Sequence, residues 1–210
     1  MVVFLGPSLP RAEARSLLPA EYRPPIRRGD LDAMGAPATI AVVDGVLEPE
    51  TRLPAEEARR AAERGFCLMG AASVGALLAA DPSISGGVAG VGRIFRLVAR
   101  GRAEAADIAL LYAAHDLRPL TVPAVDVLCW LEDAVAAGHL PPDAAEASLD
   151  AVRTLPIEER SPAAVRRVLH RHLGNSLSKA GDPSIPGAKA RDARRLLRLM
   201  RRLLERGAST

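Results

Sequence analysis

Residues 66–77 read Phe-Cys-Leu-Met-Gly-Ala-Ala-Ser-Val-Gly-Ala-Leu, an order that takes the chain from a strand into a helix. The short apolar run at the start is typical of a strand buried on both faces of a parallel sheet. Ala71-x-Ser73-x-Gly75 is a relaxed form of the G-x-S-x-G turn, which presents a serine at the carboxyl edge of such a sheet. Two interpretations of Ser73 stay open: it is a nucleophile with backbone amides nearby to hold an oxyanion, or it caps the next helix.

Two more apolar runs, Met1–Leu5 and Thr39–Val43, predict further strands of this sheet. Helical segments between the runs indicate parallel pairing, because a parallel connection needs a crossover. The carboxyl ends of parallel strands share one edge, so we expect Gly6-Pro7-Ser8 and Asp44 to line a pocket together with Ser73.

Helical spacing dominates the rest of the chain. The predicted helices cover residues 12–18, 54–65, 76–80, a segment from Arg93, 103–114, 122–137, 143–152 and 162–172. The sequence therefore predicts an α/β fold with a small parallel sheet in the N-terminal third, followed by a mostly helical C-terminal part. We expect one domain over residues 1–173, a linker rich in Gly, Pro and Ser over 174–190, and a basic amphipathic helix over 191–210 that docks on its own domain or on a second copy of the chain.

The composition argues against several classes of function. Hydrophobic residues make up 49% of the 210 residues, aromatic residues only 3%, and the net charge is +3, so we expect no nucleic-acid partner. We find no signal peptide and no apolar run as long as a membrane span, so we expect a cytoplasmic protein without a membrane partner. We also expect no metal or cofactor; Gly87-x-x-Gly90-x-Gly92 lacks the context of a nucleotide-binding motif and is interpreted as a loop.

A nucleophilic serine needs a base, and the sequence offers few. The 28 Lys and Arg residues include only two lysines, Lys179 and Lys189, and both fall in the predicted linker, a poor place to desolvate an amine. His170 and His172 come late enough in the chain for a Ser-Asp-His order. A serine hydrolase on an α/β scaffold, using Ser73 with one of these histidines, is therefore an alternative function.

The motifs of the chain occur in the order seen in the TfuA-like family, which the sequence resembles over about residues 1–170. They are Phe4-Leu5-Gly6-Pro7-Ser8-Leu9, Pro24-Pro25-x-Arg27-Arg28-Gly29-Asp30-Leu31, Val42-Val43-Asp44-Gly45-Val46, Gly70-Ala71-Ala72-Ser73-Val74-Gly75-Ala76-Leu77, Gly90-Val91-Gly92-Arg93-Ile94-Phe95 and Leu117-Arg118-Pro119-Leu120. The resemblance implies a partner of YcaO enzymes in thioamidation, the replacement of a peptide backbone amide oxygen by sulfur.

What the resemblance implies for mechanism is hydrolysis of a thiocarboxylated ThiS-like sulfur carrier, which releases sulfide for the YcaO enzyme. It also implies help for that enzyme in binding its precursor peptide. The family's serine, which works with a lysine base, corresponds to Ser73. We expect substrate contacts at Gly6, Pro7, Ser8, Asp44, Gly70, Ala71, Gly75 and Arg93. Gly86 and Gly87 are expected to add small walls to the groove for the carrier's tail. Arg27, Arg28 or Arg93 is expected to steer the acidic carrier by its charge.

The position of the family's lysine departs from that pattern. In this sequence Glu56 aligns with that lysine, Ala55 aligns with the family's histidine before it, and Glu57 matches the family's glutamate after it. Two versions of the function therefore compete. Either Glu56 serves as a weak base for Ser73, or hydrolysis is impaired and the protein is a noncatalytic adaptor.

Overall fold

The computed structural model describes residues 1–84, 86–181 and 187–207. The chain forms two compact units, of which the first holds Met1–Ala105 with the chain from Lys189 onward, and the second holds Ala106–Ala188. The sheet lies in the first unit, and the second is built mainly from helices.

Within the described residues, five parallel strands form the sheet of the first unit. They are β1 (Val2–Phe4), β2 (Glu21–Arg23), β3 (Thr39–Val42), β4 (Cys67–Ala71) and β5 (Val88–Val91), in the order β2-β1-β3-β4-β5. The α/β class and the three predicted strands are confirmed, whereas the sequence pattern does not predict β2 or β5. The connection from β1 leads to one side of the sheet, to β2, and the later strands are added on the other side, beginning with β3. Open parallel sheets bind ligands at the carboxyl edge where two neighbouring strands are connected in opposite directions, which here is between β1 and β3.

Helices cover both faces of this sheet. Those of the first unit are α1 (Arg11–Leu17), α2 (Ala55–Glu63), α3 (Val74–Ala80), α4 (Arg93–Ala99) and α10 (Ala188–Gly207). Neighbouring strand residues alternate between the faces: Val3 and Ala41 pack with α1 and α10, whereas Val2 and Ile40 pack with α2 and α3. Because both faces of β1, β3 and β4 are covered, these three strands are continuous apolar runs in the sequence.

The glycine-rich stretch contains a strand, so its interpretation as a loop is wrong. β5 pairs with β4 in a register that sets Gly90 beside Gly70. The Phe95 ring lies against Gly90 so closely that a Cβ there would overlap the ring. Glycine is required by this contact, and glycine is also what weakens the strand signal in the sequence.

The C-terminal helix α10 docks on the first unit, as its apolar stripe predicts. Leu196 and Met200 are completely buried in the cluster that α10 shares with α1 and the sheet. Asp192 accepts hydrogen bonds from the backbone amides of Arg93 (2.9 Å) and Ile94 (2.7 Å), the first residues of α4. A buried carboxylate therefore fixes the beginning of α10 to the beginning of α4.

A second polar contact locates the first turns of α10. Arg194 donates hydrogen bonds to both carboxylate oxygens of Glu13 in α1 (2.5 and 3.1 Å), and this hydrogen bonding lowers the pKa of Glu13. Both α1 and α4 begin just past the carboxyl end of a strand. The first turns of α10 therefore lie at the carboxyl edge of the sheet.

In the second unit the helices are α5 (Ala105–Ile108), α6 (Ala124–Ala136), α7 (Pro142–Thr154), α8 (Pro162–Leu173) and α9 (Ser176–Ala180), α5 beginning at the unit boundary. The helix predicted over 103–114 is wrong beyond Ile108, where the chain turns and the Leu111 amide donates to Thr121 Oγ1 (2.8 Å). Arg153 of α7 forms a bidentate pair with the buried carboxylate of Asp107 (both 2.9 Å). This pair ties α5 to α7.

Part of the predicted linker over 174–190 is helical, since it includes α9 and the start of α10. Residues 182–186 of that segment, and 208–210 of the predicted terminal helix, lie outside the described residues. None of the helices in the described chain is long and apolar enough to cross a membrane.

The buried Asp192 carboxylate is expected to make the free energy of unfolding depend on pH. Burial raises the pKa of Asp192, although hydrogen bonds from the two amides and the charges of Arg96 and Arg195 act in the opposite direction. The folded protein thus binds this proton more tightly than the unfolded chain, so ionisation costs stability as the pH rises through the folded-state pKa. We expect the free energy of unfolding of the wild type, relative to Asp192→Asn, to increase as the pH falls from about 7 toward about 4.

Urea unfolding of both proteins across this pH range measures the difference. A difference that does not change with pH, or that shrinks in acid, contradicts the prediction.

Candidate functional site

The turn from β4 into α3 brings two stretches of backbone into direct contact. A Cβ added to Gly75 would overlap the carbonyl of Val42 in β3, and one added to Gly70 would overlap the carbonyl of Gly75. The Gly75 amide also faces the Val43 carbonyl at 3.5 Å. Glycine at both positions therefore lets α3 start on top of the sheet, which is the local reason for the small residues of this motif.

The sharpest bend of this turn is at Ala72, one residue before the serine. Ala72 has φ +65°, a conformation that is unusual for a residue with a side chain, and the Ser73 amide donates to the Ala71 carbonyl across it (2.7 Å). Ala72 packs in the cluster beneath α10, whereas Val74 packs in the cluster beneath α2 and α3. Ser73 therefore lies between the two helical layers, at the carboxyl edge of the sheet.

The Ser73 residue is buried, and its side chain makes no capping hydrogen bond to α3. Its residue is 5% exposed, and within the described chain its hydroxyl makes no hydrogen bond. The amides of Ala76 and Leu77 bond instead to the backbone carbonyl of Ser73 (2.9 and 3.3 Å). Ser73 therefore occupies the N-cap position of α3 among closely packed small residues, but its side chain makes no capping hydrogen bond.

The ends of β1 and β3 meet as expected, around the buried carboxylate of Asp44. Asp44 accepts hydrogen bonds from the amides of Gly6 (2.8 Å) and Ser8 (3.1 Å) and from Ser8 Oγ (2.6 Å), and Pro7 lies half-buried between them. The amide of Gly6, one of the residues expected to contact substrate, is therefore already bonded to Asp44. This cluster shapes the edge of the sheet.

Two neighbouring glutamates of α2 have different environments. Glu57 is 1% exposed and accepts hydrogen bonds from the amides of Gly29 (2.8 Å) and Leu31 (2.9 Å), so it holds the loop after β2. Glu56 is exposed, and its negative charge adds to the effect of Asp32, which accepts a hydrogen bond from Arg60 and raises the pKa of its guanidinium. Within the described residues, the Glu56 side chain makes no hydrogen bond to Ser73. The structure does not bring the candidate base Glu56 to the serine.

The candidate steering arginines differ in exposure. Arg27 and Arg28 are exposed in the loop that Glu57 holds, whereas Arg93 is half-buried at the first position of α4. His170 and His172, the bases of the alternative hydrolase, are exposed on α8 in the second unit.

Lys189 lies in a different environment from the one that the sequence pattern predicts. It is not in a linker: it lies in the first turn of α10, belongs to the first unit and is 4% exposed. Helical spacing contains the signal, because Lys189 falls on the same stripe as Ala193, Leu196 and Met200. Lys179, by contrast, is exposed on α9.

The fold and the edge define a class: a doubly wound parallel α/β protein with a buried serine after its fourth strand. The chain belongs to the TfuA-like family, whose pattern matches residues 44–161, more than half of the chain. Membership supports an accessory role beside YcaO enzymes in thioamidation, the activity associated with the family. A comparison with curated proteins found no match.

The backbone contact at Gly75 can be tested with a single methyl group. We expect Gly75→Ala to lower the free energy of unfolding by about 3 kcal/mol or more, because neither the Val42 carbonyl nor the backbone of Gly70 can move aside within a sheet. Gly35→Ala is the matched control, since a Cβ there meets no atom within 4 Å. Thermal and urea unfolding measure both variants, and equal stability of the two contradicts the assignment.

The two glutamates of α2 give a second matched pair. Glu57→Gln replaces one acceptor oxygen with an amide group that cannot accept from a backbone N–H, so we expect a loss of about 1–3 kcal/mol in unfolding free energy. Glu56→Gln is expected to change stability by less than about 0.5 kcal/mol, as an exposed substitution. Urea unfolding at neutral pH compares them, and a loss at Glu56 that matches the loss at Glu57 is inconsistent with this interpretation.

Proposed function

We propose that the protein hydrolyses the thiocarboxylate of a ThiS-like sulfur carrier, with Ser73 as nucleophile, and supplies the sulfide to a YcaO enzyme. The observation that carries the proposal is the Ser73 side chain: it is buried at the carboxyl edge of a parallel sheet, and its hydroxyl is not hydrogen-bonded within the described chain. A hydroxyl kept at such an edge without a structural bond is suited to attack a bound acyl group.

The reaction has two halves that balance. Ser73 Oγ bonds to the acyl carbon, its proton is transferred to the departing sulfur, and the carbon–sulfur bond breaks to give an acyl-serine and hydrosulfide. Water then attacks the ester, the serine regains a proton, and the carrier leaves as a carboxylate. Overall, one thiocarboxylate and one water give one carboxylate, one hydrosulfide and one proton.

The Gly-Gly tail of a carrier protein would have to reach Ser73 from the carboxyl edge of the sheet. Gly70 and Ala71 are buried immediately before the turn, and backbone fills the space beside Gly70 and Gly75, so these small residues position the serine. A thin, extended tail suits an approach of this kind, because larger side chains on the tail would keep its acyl carbon from the serine. Exposed Arg27 and Arg28 add positive charge for steering an acidic carrier.

A noncatalytic adaptor for the YcaO enzyme and its precursor peptide is the competing version. It is favoured by the exposed position of Glu56, which leaves that residue without a contact to the serine in the described chain. The alternative serine hydrolase would need His170 or His172, which are exposed on α8. The three readings make different predictions for the same assay.

The assay mixes the protein with a thiocarboxylated ThiS-like carrier and measures sulfide. We expect sulfide release by the wild type, and a decrease of at least about 1,000-fold in kcat for Ser73→Ala, because the covalent step is then lost. Mass spectrometry of the quenched reaction is expected to find the carrier's acyl group on Ser73.

Controls separate the alternatives. Ser83→Ala, a change at an exposed serine, is expected to leave the rate unchanged. If the wild type releases no more sulfide than a reaction without protein, but still stimulates a YcaO enzyme that is supplied with free sulfide, the protein is an adaptor instead. Loss of activity in His170→Ala or His172→Ala would favour the histidine-dependent hydrolase.

A further inference from the structure

The last two turns of α10 extend past the apolar core that holds the rest of the helix. Leu196 and Met200 are completely buried, whereas every residue from 201 to 206 is exposed. The apolar stripe nevertheless continues, because Leu203 and Leu204 come three and four residues after Met200 and lie on the same face of the helix. These leucines are 48% and 42% exposed, and they are two of the four large hydrophobic residues exposed in the described chain.

Arginines surround the two exposed leucines. Residues 194–206 contain six arginines and a single acidic residue, Glu205, which pairs with Arg201 (3.0 Å). Four exposed arginines follow one another at spacings of three and four residues: Arg195, Arg198, Arg202 and Arg206. Like charges at these spacings are neighbours on a helix and destabilise it, so a partner that neutralises them would be favoured. Together with Leu203 and Leu204, these four arginines form what we call the α10 surface.

The charge and shape of the α10 surface select among the partners that could cover it. A second copy of the chain, placed symmetrically, would bring an identical set of arginines to the interface, and like charges across an interface oppose binding. A nucleic acid supplies negative charge, but residues 188–207 contain no aromatic side chain to stack on its bases. A membrane would receive only two leucines, because the earlier apolar residues of α10 are buried in the first unit. A protein with acidic groups around an apolar depression satisfies both the arginines and the leucines.

The two leucines lie away from the edge where Ser73 is buried. α10 begins at the carboxyl edge, where Asp192 bonds to the first amides of α4, and its later turns pack on the face of the sheet. Leu203 comes 11 residues after Asp192, which corresponds to about 17 Å along the helix axis. A protein that covers Leu203 and Leu204 can therefore bind without occupying the approach to Ser73.

We propose that the α10 surface is the docking surface for an acidic protein partner, which is the YcaO enzyme. The identity of this partner rests on the proposed function, in which the carrier has to place its tail at Ser73 and the enzyme receives the sulfide. Leu203 and Leu204 enter an apolar depression of the enzyme, and the arginines pair with carboxylates around it. Carrier and enzyme then bind at the same time, so the sulfide is released beside the protein that uses it. The surface lies beyond residues 44–161, the range that the family pattern matches.

The decisive variant combines Leu203→Gln with Leu204→Gln, which removes the apolar centre of the surface and keeps every charge. Biolayer interferometry measures binding of the full chain to the purified YcaO enzyme of the same organism. We expect the wild type to bind, and the double variant to have a Kd at least about 10-fold higher, because the burial of two leucine side chains is lost.

Leu111→Gln with Leu120→Gln is the matched control. These leucines of the second unit are 46% and 43% exposed, close to the values of the α10 pair, and their replacement is expected to keep the Kd within about twofold. Circular dichroism and thermal unfolding check that each variant folds. The proposal is overturned if the wild type does not bind, if the α10 pair keeps the Kd within about threefold, or if both pairs lose affinity equally.

The arginines are tested by charge reversal. Arg198→Glu with Arg202→Glu is expected to raise the Kd at least about 10-fold at low salt and to weaken its dependence on salt, because attraction to the partner is replaced by repulsion. Arg167→Glu with Arg171→Glu makes the same change of charge on the exposed face of α8 and is expected to keep wild-type binding. Equal losses in the two pairs would indicate attraction by net charge alone and contradict a docking surface on α10.

Other occupants give different results in the same variants. Three outcomes overturn the proposal when Leu203→Gln with Leu204→Gln abolishes them: self-association in analytical ultracentrifugation, binding to a single-stranded DNA oligonucleotide, and binding to phosphatidylserine vesicles. They assign the α10 surface to a second copy, a nucleic acid and a membrane, respectively.

Sulfide release from the carrier, measured without the YcaO enzyme, keeps the two proposals distinguishable. The α10 variants are expected to release sulfide at the wild-type rate, since they leave the carboxyl edge unchanged. Binding of the YcaO enzyme that depends on the α10 surface, without sulfide release by the wild type, retains the docking surface and refutes the hydrolase. Sulfide release together with binding that does not need the α10 surface retains the hydrolase and refutes the docking surface.

Discussion

Direct backbone contact between α3 and the strands beneath it is the constraint on which the edge of this sheet depends. The space that a Cβ of Gly75 would need is filled by the Val42 carbonyl, and the space beside Gly70 is filled by Gly75. Such an approach leaves no room for a gradual connection, so the chain bends within one residue, at Ala72. Ser73, the next residue, consequently lies between the two helical layers and not within the apolar core of either one.

Three buried carboxylates stabilise the same region, each by accepting hydrogen bonds from backbone amides of a distant segment. Asp44 binds the loop after β1, Glu57 binds the loop after β2, and Asp192 binds the start of α4. These bonds satisfy main-chain donors that would otherwise be buried without partners, which is costly in a protein interior. Ser73 differs from these groups, since its hydroxyl takes no part in such a bond in the described chain.

The sequence predicted those elements whose packing follows a regular period. β1, β3 and β4 are apolar runs with both faces covered, and the stripe of α10 correctly indicates that this helix docks. It did not predict β5, because the Phe95 ring requires a glycine where a strand would normally have a branched residue. β2 has only three residues and lies at an edge of the sheet, so it has little pattern to detect.

At the site, the residues at the strand ends were predictable, whereas the environments of Lys189, Glu56 and Glu57 were not. Asp44, Ser8 and Ser73 fall at one edge because parallel strands end there. Lys189 was hidden by its neighbours, since the glycines and prolines before it are typical of a linker, and only its spacing from Ala193 and Leu196 indicates the buried face. The separate roles of Glu56 and Glu57 depend on which of two adjacent side chains points at a loop, which no local pattern determines.

The bond from Asp192 to the amides of Arg93 and Ile94 joins residues 99 and 98 positions apart in the chain. During synthesis, the strands and their serine are complete long before the ribosome has made the segment that closes over them. A nascent chain that has not yet reached α10 would therefore contain Ser73 and all five strands of the sheet but not the helix that holds the start of α4, so we expect the carboxyl edge to be completed only after α10 has been made.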